Sequence, residues 1–197
     1  MNRFFSLVPA ALILLTTSCV QIPEDDSQEF AQLPAAVLAS LPYELNVEKL
    51  AAFDPRPLAF TSFSPDSDPK AKGVRIVSSG RTFPYIYEII SVPGVSSPSV
   101  LDSVSKSLDG KPGIILKQVG TNPVIGDHVH FFQRFDLNGI PNHVSSNYIF
   151  VKNGTFYHLS ASNYGPTIIK RSSWGAEKPD PNAEGEVNNL ISSMIFK

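Results

Sequence analysis

His128, His130, His143 and His158 are the side chains of this sequence most suited to ligate a metal or carry a proton, and they fall within one stretch. Imidazole is the one side chain whose ordinary pKa lies between pH 5 and 8, and zinc sites draw on several such ligands converging on one point. A second group, Tyr164, Lys170, Arg171 and Trp174, sits between Asn163 and Pro181. Aromatic and arginine side chains on a loop are the types concentrated at protein contacts. Lys70, Lys72, Arg75 and Arg81 form a basic run with no acid between Asp68 and Glu88. Such a run could meet phosphate groups, although a solvated strand edge is the simpler reading. The single cysteine, Cys19, closes an apolar run near the start of the chain.

Hairpins must position the histidines. Asn138-Gly139 and Asn153-Gly154 are strong two-residue hairpin signals between alternating segments. With two-residue loops at both, His128 faces Ile149, His130 faces Asn147, His143 faces Arg134, and Ile149 faces His158. All four histidines then share one side of a three-stranded sheet. Val129, Phe131, Tyr148, Phe150, Tyr157 and Leu159 share the other, which is the expected core. Even so, His128 and His158 are about 9–10 Å apart, two strands away. Only His128 and His130, about 6.5–7 Å apart along one strand, could chelate together, and no acid completes a set. No metal and no cofactor is expected. A one-residue bulge would move every side chain beyond it to the other face.

Ser103-x-x-Lys106, Ser145-x-Asn147 and Lys152-Asn153-Gly154 mimic in order the three motifs of serine penicillin-binding enzymes, in which Lys106 would activate Ser103. The third motif would have to lie on a strand beside the nucleophile, whereas here it is a hairpin tip. The sequence contains no Gly-x-Ser-x-Gly, His-Glu-x-x-His, P-loop or Gly-x-Gly-x-x-Gly. The expectation is a protein that is not an enzyme.

Other elements follow from periodicity. Leu58 to Ser64, Val74 to Ser78, Phe83 to Val92 and Ile114 to Val119 read as strands. Ser97 and Pro98 start a helix with Val100, Leu101, Val104 and Leu108 on one face, stopped at Asp109-Gly110. Val187, Leu190, Ile191 and Met194 mark a closing helix, followed by a short strand at Met194 to Phe196. Before them, Pro34 to Leu41 reads as a short helix, and Asn46 as the cap of another turn reaching Phe53. Strands, a helix, an antiparallel meander, then helix and strand give an α+β fold, with helices packed on an antiparallel sheet.

The chain has 197 residues and a net charge of −2, which gives no field for nucleic acid, and one cysteine rules out an intrachain disulfide framework. Arg3 precedes the apolar run Phe4 to Leu15, and small residues lead to Cys19. This is the layout of a secretory signal, and the run is too short to span a bilayer. Leu15-Thr16-Thr17-Ser18-Cys19 resembles the bacterial lipobox. That resemblance implies cleavage before Cys19, acylation of its thiol and amine, and a membrane anchor. With Val20 after the cysteine it points to the outer membrane, facing the periplasm, in a Gram-negative host. Expected segments are a signal peptide at 1–18, an acylated cysteine and acidic tether at 19–33 carrying Glu24, Asp25, Asp26 and Glu29, a lead-in at 34–57 and the α+β domain at 58–197.

Gly126-Asp127-His128-Val129-His130-Phe131-Phe132, Tyr148 to Tyr157 and Ser193-Met194-Ile195-Phe196 resemble the PsbP-like superfamily, which includes many bacterial envelope lipoproteins. The resemblance covers Leu58 to Lys197 and implies an α/β/α sandwich that serves as a binding or assembly module. The expected function is therefore a membrane-anchored, non-enzymatic module whose partner is another envelope protein, with Tyr164, Arg171 and Trp174 as its binding residues. The alternatives are a periplasmic small-ligand carrier, or a hydrolase without a recognisable motif.

Overall fold

A computed structural model describes residues 33–53, 58–65, 68–78, 85–95, 99–137, 140–163 and 181–197. The elements in chain order are α1 (Ala35–Ser40), β1 (Tyr43–Leu45), α2 (Val47–Phe53), β2 (Leu58–Phe63), β3 (Lys72–Ser78), β4 (Tyr85–Pro93), α3 (Ser99–Leu108), β5 (Ile114–Asn122), β6 (Gly126–Leu137), β7 (Ile140–Lys152), β8 (Thr155–Asn163), α4 (Pro181–Ser193) and β9 (Met194–Phe196). β2 to β8 form a seven-stranded sheet in the order β2-β3-β4-β8-β7-β6-β5, and every pairing is antiparallel. The fold is α+β, as the order of strand and helix patterns predicts.

Both faces of the sheet are covered. α3 packs over β5, β6 and β7, and α4 lies over β7 and β8. Under α3, Val104 and Leu108 meet Val129, Phe131, Ile149 and Phe156. On the opposite face Val187, Leu190 and Ile191 of α4 cover Tyr87, Ile89, Tyr148, Phe150, Tyr157 and Leu159. The helix faces read from the sequence are therefore the ones that bury apolar surface, which is what stabilises these helices.

The lead-in belongs to this core. Leu41, Tyr43 and Leu50 join the α4-side cluster, α2 packs on α4, and β1 pairs with β9, placing Tyr43 opposite Phe196. Asn46 caps α2 by accepting a hydrogen bond at Oδ1 from the Lys49 N–H at 2.8 Å. The β1–β9 pair was not visible in the sequence: a three-residue strand carries no period.

The β7–β8 hairpin has the expected register, with Ile149 opposite His158. Its turn is the expected left-handed pair, Asn153 at φ 49° and Gly154 at φ 72°. The β6–β7 register departs from the two-residue-loop count. Phe135 pairs with His143 but Asp136 pairs with Pro141, so Asn142 is an extra residue on β7. Beyond this bulge His128 pairs with Phe150 and His130 with Tyr148. The sequence is silent about this shift because β6 is apolar at both parities: Phe131 and Phe132 are both buried, one on each face. The Asn138-Gly139 turn, the signal segment with Cys19, and the loop with Tyr164, Arg171 and Trp174 lie outside the described residues.

Candidate functional site

The bulge divides the histidines between the two faces of the sheet, so the single row expected from simple hairpin counting does not form. His128 and His130 lie on the α4 face with Tyr148 and Phe150, while His158 shares the α3 face with Phe131 and Ile149. His143 holds the backbone position opposite Phe135.

His158 is buried, with its ring 6.4 Å from Phe131 and nearly parallel to it. Asn147 decides its tautomer. The Asn147 amide donates through Nδ2 to Ser145 Oγ at 2.8 Å and to the Ser145 carbonyl at 3.2 Å. Its Oδ1 therefore faces His158, and His158 Nε2–H donates to it at 3.0 Å. Burial lowers the His158 pKa to about 4, so the ring is neutral at pH 7. Gln133, opposite Ser145 on the next strand, adds another buried amide, and its Oε1 has no hydrogen-bond partner among the described residues. Further across this face Arg75 pairs with Glu88 through Nε at 2.9 Å and Nη2 at 2.6 Å, while its guanidinium lies 5.3 Å from the Phe63 ring centroid. Arg75, from the basic run, is thus neutralised within the fold.

His130 belongs to a second array under α4. Its ring stacks on Tyr148 at 4.2 Å and meets Phe132 at 4.8 Å. Nε2 lies 3.1 Å from Ser146 Oγ and Nδ1 4.0 Å from Glu184 Oε1. Burial lowers its pKa to about 4, with the nearby His128 adding to the shift. Tyr148 is pushed up to about 12, first by burial and then by the Glu184 charge, against a hydrogen bond with Asn188. Two strands away, on β4, the Tyr87 hydroxyl donates to Glu186 Oε2 at 2.6 Å. Glu184, Glu186 and Asn188 thus fasten α4 to the sheet. These α4 residues escaped notice in the sequence, where only the apolar face of the closing helix was read.

These arrays hold the fold together. His128 does share the α4 face with His130, and its Nδ1 lies 3.1 Å from the Gly126 carbonyl. Yet no group of three histidine, cysteine or acidic side chains among the described residues is placed to hold a metal ion. The Ser103 and Ser145 motifs do not converge. Ser103 is on the exposed side of α3, where its hydroxyl donates to the Ser99 carbonyl, whereas Ser145 and Asn147 are buried in the sheet. Lys152 sits at the β7–β8 tip, bonded to the Val124 carbonyl and over the Phe196 ring.

No family model matches the chain, and no curated protein matches it. In fold it is similar to LpqN, involved in cell envelope biogenesis of Mycobacterium tuberculosis, at 12% identity over 73% of this chain and 86% of that one, with a TM-score of 0.37. It is similar also to CyanoP, the cyanobacterial PsbP of Synechocystis sp. PCC 6803, at 9% identity over 71% of this chain and 82% of that one, with a TM-score of 0.38. Likeness at these levels carries nothing about activity or partners. The α+β assignment rests on the strand order and the two covered faces.

Proposed function

We propose that this chain is an exported bacterial lipoprotein, held to the membrane by acyl chains on Cys19, whose α+β body is a non-enzymatic, PsbP-like module that binds or helps assemble another envelope protein. In a Gram-negative host its place is the outer membrane, facing the periplasm. The observation that carries the reading is the position of the only cysteine, at the end of an apolar run too short to span a bilayer. Two or more acyl chains hold a protein where one would not. The body begins by Leu33, which is already buried in the core, so residues 20–32 are left as an acidic tether.

The interior of the body supports a binding role over a catalytic one. On the central strands His130 bonds to Ser146 and His158 to Asn147, and of the largest buried side chains Tyr43, Tyr87, Tyr157 and Phe150 fill one core and Phe131 the other. Partner recognition then falls to the outside, with Tyr164, Arg171 and Trp174 as the contact residues. The test is membrane fractionation of the wild-type chain and Cys19→Ala in a bacterial host. Wild type is expected in the membrane fraction, resistant to salt and released by detergent. Equal membrane retention of Cys19→Ala would overturn the anchor.

A further inference from the structure

β5 is the edge strand beside β6, so alternate residues direct N–H and C=O groups away from the sheet. Edges of this kind pair with other chains unless a lysine, proline, bulge or covering element prevents it. On β5 the irregularity stands at its beginning, and the one lysine is turned away from the edge. A register shift lies between Ile114 and Leu116. Lys117 folds back to α3, where its Nζ donates to the Ser105 carbonyl at 3.0 Å and Asp109 Oδ1 at 2.5 Å. The remainder is open: Gln118, Val119 and Thr121 are exposed. Val119, at 68%, is the most exposed large hydrophobic residue among those described.

We propose that a second copy of this chain pairs with β5 edge to edge, about a two-fold axis at Val119. The regular part of β5 runs from Leu116, opposite Phe132, to Asn122, opposite Gly126. Val119 is its middle residue, so an axis there pairs the whole stretch with itself. On the α3 face Val119 meets Val119 of the second copy, and Lys117 falls opposite Thr121. On the α4 face Gln118 falls opposite Gly120. Lys117 is the one charged residue of the stretch, so no like charges meet. Lys117, held by Ser105 and Asp109 of its own α3, stays out of the contact, and Thr121 Oγ1 is likewise occupied as a donor to Asp127 Oδ1 at 2.8 Å. Gly120 leaves bare backbone bounded on its own side by the His128 ring, which lies 3.4 Å from where a Cβ would be. Gln118 of the second copy covers it. Such self-complementarity is what an isologous contact requires. A contact of this length is smaller than the roughly 800 Å² per partner of a stable interface, so the dimer is concentration-dependent in solution. It gains where the chains are confined together.

The test uses the full-length chain carrying Val119→Cys or Thr121→Cys, with wild type as background for Cys19, under mild oxidation. Residues facing each other across the axis have Cα atoms about 4.5–5.5 Å apart, within disulfide reach. The two Thr121 residues would be about 13 Å apart along the strands, beyond it. The expected result is a cross-linked dimer for Val119→Cys alone, together with a wild-type mass that rises towards a dimer with concentration. In Val119→Lys, which puts two like charges on the axis, that rise is lost while thermal unfolding stays as in wild type. Equal cross-linking at 119 and 121, or a wild-type chain that stays monomeric at every concentration, would overturn the proposal.

Discussion

Asn147 links three strands at one point. Its side chain bonds Ser145 beside it and His158 on β8, and it also approaches the Phe131 carbonyl on β6. Asn147→Ala would leave the His158 N–H and the Ser145 hydroxyl without their buried partner, which should lower unfolding free energy by about 1–3 kcal/mol in a urea titration. The two buried histidines set the response to acid. In the fold both stay neutral down to about pH 4, whereas in the unfolded chain they take up a proton near 6.5. Between those values the unfolded state binds more protons. Stability is therefore full above pH 6.5 and falls as pH drops towards 4, by on the order of 3 kcal/mol for the fully buried His158 at the lower end and by less for His130. His158→Gln should reduce the slope of unfolding free energy against pH between 6.5 and 4 to less than half of the histidine contribution, and an unchanged slope would show that His158 is not held neutral. The histidines as a group were legible in the sequence. Their division between two faces was not, because one extra residue, Asn142, lies in a segment with no pattern to reveal it.

At the level of elements, the sequence located what periodicity can locate. α3 and α4 bury the predicted faces, and Asn153-Gly154 makes the predicted turn. The turn of α2 and the closing strand were read; the long-range contacts that hold them were missed. Pairing of β1 with β9 joins the start of the body to its end, and α2 packs on α4. Leu50 is fully buried in that arrangement. Leu50→Ala should therefore destabilise the body by about 2–5 kcal/mol, as in other cores. A loss within the usual surface range of about 0.5 kcal/mol would instead make the segment before β2 a loosely attached lead-in.

For the molecule as a whole, the proposed arrangement is a body with both sheet faces covered, joined to a tether and an anchor. Function then depends on outer surfaces and on where the body is held. On this account Trp174→Ala should weaken capture of an envelope partner in cross-linking from intact cells, while the thermal melt of the body changes little. If the same substitution unfolds the body, Trp174 is part of the core and the loop loses its role as the contact surface. The membrane anchor is the central claim, and its most direct test is the intact mass of the mature protein extracted from host membranes. The account predicts a chain that begins at Cys19 and carries two or three acyl groups. An unacylated chain that begins at another residue would contradict it and leave a freely diffusing exported protein.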